Sequence, residues 1–288
     1  MAQADNILLL YRNYLDEALL SASSEAISVE RLKDFRPSRF WRAEDCTAEH
    51  VLIDCGGSVN MTHGAVAAHN LDANGVIRCT VSDDPDIATD PDSVDLEYDS
   101  GAVEAWPPVA GFGSDGFGTS LGGYPLLTSI NDYRPYRVFD FGGTVNARYV
   151  RYDFANPDLG KGIEVGRVFA GLGIQPERTF AYDWSWEWVD PSDVIDTEEA
   201  FFIVRRRKYR VLRISLPRLS NAEAMAAFDD LKRIVGRSRD LFVMLFPTGA
   251  ANVQYRTTIY GVPIENGPIA NPFFNVFSTS IAIRELAR

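Results

Sequence analysis

Three histidines serve 288 residues, and that scarcity limits the chemistry this chain can do. General-base and nucleophilic catalysis want an imidazole beside a nucleophile or a carboxylate. His63 and His69 lie six residues apart in a strand-and-turn stretch, with no third metal ligand close in sequence. The pair His69-Asn70 therefore reads as a turn-shaping element that hydrogen-bonds locally. No GxSxG, HExxH or Walker sequence occurs. Gly111-Phe112-Gly113 and Gly116-Phe117-Gly118 have the glycine content of a nucleotide loop, but they follow no strand and open no helix. The reading is of a protein that is not an enzyme, with no catalytic residue and no cofactor. The one catalytic class left open is glycoside hydrolysis, which needs only two carboxylates across a cleft.

Residues suited to binding are more plentiful. An acidic, proline-containing loop holds Asp83, Asp84, Asp86, Asp90, Asp92, Asp95, Glu97 and Asp99. Such oxygen density suits Ca²⁺, with Asp83, Asp84 and Asp86 as candidate ligands, although EF-hand spacing is absent and a solvated loop has the same composition. Between residues 100 and 136 a stretch rich in Gly, Pro and aromatics carries Trp106, Phe112, Phe117, Tyr124, Tyr133 and Tyr136, a candidate contact surface. Trp184, Trp186 and Trp188 alternate, so an extended strand puts all three on one face. That face either stacks on sugar rings or packs beneath a neighbouring domain. Arg205-Arg206-Arg207-Lys208 is the densest basic run. It reads as a strand edge that meets an acidic neighbouring subunit, or as a charged edge that deters aggregation.

Charge is unevenly placed. Up to Phe202 the chain has 14 Lys+Arg against 34 Asp+Glu, a balance of −20; from Ile203 it has 14 against 6, a balance of +8. Ends of opposite sign can dock on one another, within a molecule or around a ring. The acidic part would repel phosphates, so nucleic acid is not an expected partner. The run Ile7–Leu10 is too short for a signal segment or a membrane span, which implies synthesis in the cytoplasm and no membrane insertion. Cys46, Cys55 and Cys79 are odd in number and form no CxxC, so they read as buried free thiols.

The elements that must carry these residues are short and mostly β. Strand-like runs at Val51–Cys55, Gly64–His69 and Val76–Ser82 are separated by Gly56-Gly57 and Asn74-Gly75. Alternation returns at Arg148–Phe154 and again, after Asn156-Pro157-Asp158, at Ile163–Ala170. The last third changes pattern. A strand at Arg210–Leu216 precedes a helix opened by the Ser220/Glu223 capping box, with Met225, Phe228, Leu231, Ile234 and Val235 as its apolar stripe and Gly236 as its stop. Leu241–Phe246, Gln254–Tyr260 and Phe277–Ile283 follow as strands. This gives a domain at 1–200, with an insertion at 100–136, and a basic β-α-β-β-β module at 201–288.

Two sets of segments carry a resemblance. Ile53-Asp54-Cys55-Gly56, Ala67-Ala68-His69-Asn70-Leu71, Arg78-Cys79-Thr80-Val81-Ser82-Asp83 and Tyr98-Asp99-Ser100-Gly101 form the first, and 147–152 with 162–171 the second. Over roughly residues 25–175 the chain resembles the galactose-binding-like (discoidin-type) jelly roll found in phage tail proteins. Its C-terminal module is similar to the β-sandwich-plus-helix unit of phage tail tubes and distal tail rings. The resemblance implies a mostly β fold, a jelly-roll sandwich plus a helix-bearing β module. It also implies a structural subunit of a tail-tip or baseplate ring in the virion, assembled in the host cytoplasm. Its partners would be copies of itself and the tube, tape-measure and hub proteins. The alternative it implies is a carbohydrate-binding module that meets a glycan on the host surface.

Overall fold

Runs of β-branched and aromatic residues punctuated by Gly, Asn and Pro favour strands over most of the chain. In the computed structural model, which describes residues 6–72, 74–106, 120–121, 124–125, 135–196, 201–249 and 251–286, they do form strands. The fold class is mostly β as expected, with its principal helix in the last third of the chain. The principal strands are β1 (Leu8–Asn13), β2 (Glu49–His69), β3 (Val76–Ser82), β4 (Tyr136–Ala155), β5 (Glu164–Ile174) and β6 (Ser185–Val189). They continue with β7 (Asp193–Asp196), β8 (Phe201–Val204), β9 (Tyr209–Leu219), β10 (Leu241–Met244), β11 (Thr258–Asn266) and β12 (Val276–Glu285). One antiparallel sheet of 15 strands runs in the order β6-β9-β12-β11-β10-β1-β5-β2-β4-β3, with short strands on its flanks.

Gly56-Gly57 does not end a strand. The expected strands at Val51–Cys55 and Gly64–His69 are one, β2, 21 residues long. Gly56 takes a φ of +76°, and the register against β4 slips between Ala147 and Tyr149, so the glycines are absorbed as a bulge. Gln254–Tyr260 is corrected too. Helix α2 spans Ala251–Thr257, and β11 begins only at Thr258. The Thr257 and Thr258 hydroxyls donate back to the carbonyls of Val253 and Gln254, and the Gln254 amide holds the preceding loop through Pro247 and Gly249. Those local bonds favour a helical turn over the strand that the Thr-Thr-Ile-Tyr sequence suggests.

The capping box is present. Ser220 Oγ lies 2.7 Å from Glu223 Oε2, and the Ser220 backbone N–H donates to the same oxygen. The helix starts with a π-wound segment, Glu223–Phe228, and continues as α1, Asp229–Val235. Phe228, Leu231 and Val235 are buried as expected, but the π winding turns Met225 out to solvent and places Ala224 inside.

Two large apolar cores and two smaller clusters lie along the sheet among the described residues. Trp41, Ile53, Val66, Val81 and Phe154 belong to the first, and Leu9, Leu212, Phe228, Leu231 and Ile283 to the second. Ile174 and Phe180 also fill the second core, which therefore draws on chain well before residue 201. Strand β1 sits in the middle of the sheet, with Leu9 opposite Ile174 of β5 and Val243 of β10.

Two buried ion clusters fasten the parts together. Arg167, 2% exposed, spans Asp240 (Nε–Oδ2 2.9 Å) and Asp16 (2.6 Å), and donates to the Leu32 carbonyl. Arg210 is forked onto Glu285 and donates to the carbonyls of Arg256 and Thr258, while Tyr136 of β4 donates to Glu285 from the other part. A buried guanidinium is tolerable only when most of its donors are met, and both are.

Candidate functional site

Where the two parts meet, the chain leaves an open cleft of about 790 Å³. Four elements build it: the approach to β1 with Asn6, the β2–β4 pair, the segment Gln175–Glu177 that follows β5, and the stretch from Met244 of β10 to Gln254. Antiparallel register sets Asp140 of β4 opposite His63 of β2, and the His63 Nε2 lies 3.8 Å from the Asp140 carboxylate. The other ring nitrogen lies 2.9 Å from Thr62 Oγ1. Burial lowers the His63 pKa and Asp140 only partly opposes that, so the ring is held towards its neutral form. The imidazole needs close room: a methyl group at Gly173 would stand 2.7 Å from its Nδ1.

Two polar groups on the cleft wall are incompletely satisfied. Arg137 Nε is shut away from solvent with no acceptor, and burial lowers this side chain's pKa against the opposing pull of Glu104. Asn6 donates from Nδ2 to the Glu177 carbonyl at 3.1 Å, yet its Oδ1 receives no hydrogen bond. The Asn6 carbonyl in turn accepts from Gln175 Nε2. The cleft offers hydrogen-bonding groups from side chains and backbone.

The expected contact surface is rearranged. Trp106 is 2% exposed, lies in the first core and donates its indole N–H to the Leu71 carbonyl. Tyr136 is buried against Phe242 and bonded to Glu285. Both are therefore corrected from surface to interior: each large ring fills space between elements and its polar tip finds a partner there. Phe112, Phe117 and Tyr133 lie outside the described residues, and of Tyr124 only the backbone is described.

Two of the three candidate calcium ligands, Asp83 and Asp84, have other uses. Asp83 accepts from Ser58, and Asp84 caps the short 3-10 helix at Pro85–Ala88 by accepting from the Asp86 N–H. Among the described residues no three His, Cys, Asp or Glu side chains converge on a metal position. The acidic segment is well anchored, because Arg151 donates to the carbonyls of Ile87 and Ala88 and Ile87 packs on Leu52 and Tyr149. His69 is buried with its ring edge-on to Trp106, and Asn70 joins Gly162 and Glu164 through its amide. Cys79 is buried; Cys46 and Cys55 are half-buried, and all three are free thiols.

The three tryptophans divide. Trp184 meets Phe180 and Phe246 beside the second core, whereas Trp186 and Trp188 on β6 stay half-exposed at the outer strand of the sheet. Of the two expectations, packing against a core is met by Trp184. Beyond β6 the chain makes an arm that the sequence reading missed. Strands β7 and β8 pair only with each other, with Val194 opposite Ile203 and Ile195 opposite Phe202. Val194, Ile195, Phe201, Phe202, Ile203 and Val204 are each between 48% and 63% exposed, so both faces of the arm are apolar and open. The cue was legible: Val-Ile and Phe-Phe-Ile-Val flank a short polar turn, a hairpin pattern hidden by the domain boundary drawn through it. The basic run is not a strand edge but the connection from this arm to β9. Arg206 pairs with Asp193 at 2.6 Å and Lys208 with Asp190 at 3.4 Å, which brace the arm's base.

No family model and no curated protein matches the chain. Solved structures similar to part of it include chitosan-binding module 1 of a Paenibacillus sp. IK-5 chitosanase/glucanase, 14% identical with a TM-score of 0.37, over 56% of this chain and 98% of that one. Another is a module of Clostridium perfringens in complex with GalNAc-β-1,3-galactose, 11% identical with a TM-score of 0.36, over 56% and 100%. The lectin domain of lectinolysin complexed with Lewis B antigen is 11% identical with a TM-score of 0.35, over 56% and 96%. Likeness at this level does not carry a ligand from those proteins to this one.

Proposed function

We propose that this chain is a non-catalytic assembly protein that joins copies of itself in a ring, the building block of a phage tail tip that its sequence resemblance implies. The observation that carries the reading is the arm, β7–β8. An isolated two-stranded hairpin is marginal in water, and one with six large apolar side chains exposed on two faces gains its burial from a partner. The partner in this reading is a second copy of the chain. The arm's base carries Arg205 to Lys208, and the opposite charge is displayed on the anchored loop from Asp83 to Asp99, where all seven aspartates and Glu97 are exposed. Contacts between two different patches generate rings when the rotation closes. Tube, tape-measure and hub proteins would be the neighbours of such a ring in the virion.

Light scattering coupled to size exclusion tests this on the full chain. An oligomer is expected, and the double variant Phe202→Ser/Ile203→Ser is expected to run as a folded monomer. A wild-type monomer at all concentrations, or an oligomer indifferent to the arm variant, overturns the reading. A second reading, a carbohydrate-binding module that contacts a host surface, is supported by the polar cleft between the two parts.

A further inference from the structure

We propose that copies of the chain join head to tail, the arm's base on one copy holding the Asp95–Glu97 segment of the next. This rests on the reading of the arm as an assembly element and names its seat. The register sets Val194 opposite Ile203, and alternation puts Phe201 on the same face. That face leads into a hollow of about 570 Å³ at the arm's base. The apolar lining of the hollow is Val194 and Ile203, and its charged lining is Arg205, Arg206, Lys208 and Asp190. Arg206 and Lys208 are engaged by Asp193 and Asp190. Arg205 is exposed and meets no carboxylate among the described residues. An open hollow with apolar walls and one unmatched guanidinium suits an exposed carboxylate that stands beside aliphatic side chains.

The acidic loop offers such carboxylates. Asp92 and Asp99 are taken up by Arg78, Asp83 by Ser58, and Asp84 and Asp90 by backbone N–H groups that follow them. The carboxylates of Asp86, Asp95 and Glu97 are exposed and have no partner among the described residues. Asp95 and Glu97 alternate with Val94 and Leu96, which pack only partly on the body. The two surfaces stand at opposite ends of the sheet. Strand β6, which leads into the arm, is last at one end, and the short strand Tyr98–Asp99, which follows the acidic loop, is last at the other. A contact between them is heterologous, so each copy keeps one surface of either kind open until a ring closes. An exposed ion pair adds little affinity by itself. The apolar arm supplies the adhesion, and the charges select the surface that it meets.

The test mixes two full-chain variants and reads their mass by light scattering. Phe201→Ser/Ile203→Ser spoils the arm and keeps the loop, whereas Asp95→Lys/Glu97→Lys spoils the loop and keeps the arm. Each alone is expected to run as a monomer, with circular dichroism checking that it is folded. An equimolar mixture is expected to form one-to-one pairs and nothing larger, because one intact arm finds one intact loop and no second contact remains. A loop variant that assembles as the wild type does overturns the seat but leaves the arm reading standing. Two monomeric variants that form no pairs overturn the head-to-tail contact. A wild-type monomer at all concentrations overturns both. Should either double variant fail to fold, charge reversal decides: Arg205→Glu is expected to weaken association at least about tenfold, and Arg205→Glu/Asp95→Lys/Glu97→Lys to recover it to within about threefold of wild type. Absence of that recovery overturns the pairing.

Discussion

The body of the sheet and the arm use the same residue types to opposite ends. In the body, Ile53, Val81 and Phe154 are fully or almost fully buried. In the arm, Ile203, Val204 and Phe202 keep about half of their surface in water. Both regions are antiparallel pairs with regular registers, so the difference is not in strand chemistry. It lies in what covers the strands: the body supplies its own cover, and the arm's apolar side chains have none among the described residues.

Substitutions on the two sides sharpen the comparison. Removal of Arg167 would strand Asp240 in the interior and leave half-buried Asp16 without its partner, and Arg167→Ala is expected to cost about 3–5 kcal/mol in urea unfolding. The aromatic pair follows. Phe154→Ala is expected to cost about 3–5 kcal/mol, and Phe202→Ala, in dilute monomer, less than about 0.5 kcal/mol. Equal costs would show that the arm is buried within its own chain and break the contrast. Ser220→Ala removes one side of the capping box and should lower stability by about 1 kcal/mol, with the oligomeric state unchanged. The smallest effect is on pH. Burial lowers the pKa of His50 and His63, both on β2, below the ordinary value near 6.5. As pH falls through the unfolded value, the unfolded chain takes up protons that the folded body resists, so stability falls from about pH 7.5 to about pH 5.5. Thermal melts should show that slope, and arm variants should leave it unchanged, because both histidines lie in the body.

Much of the fold was legible because its signals are local. Alternation at Val76–Ser82 marks β3 with the same ends as the structure, and Ser220, Glu223 and Gly236 bound the helix as read. What could not be read depends on partners distant in sequence. Gly56-Gly57 looks like a stop until β4 lies alongside, and Trp106 looks like a surface ring until Leu71 offers a carbonyl. The cleft was unreadable for the same reason: Asn6, His63, Arg137 and Gln175 share no motif, and only the crossing of β1, β2, β4 and β5 brings them to one wall. The basic run was visible as charge, but whether it sat on a strand or beside one depended on the arm.

Strand β1 has a consequence for the chain's making. It precedes both β5 and β10 in the chain, yet its place in the sheet lies between them, with Leu9 paired to Ile174 on one side and to Val243 on the other. Until β10 is in place one edge of β1 has no partner, and the two parts that it stitches cannot close. Closure of the whole sheet therefore depends on distant pairings, which are slow to form. Domain fragments cut between residues 1–200 and 201–288 would each lack half of that stitch.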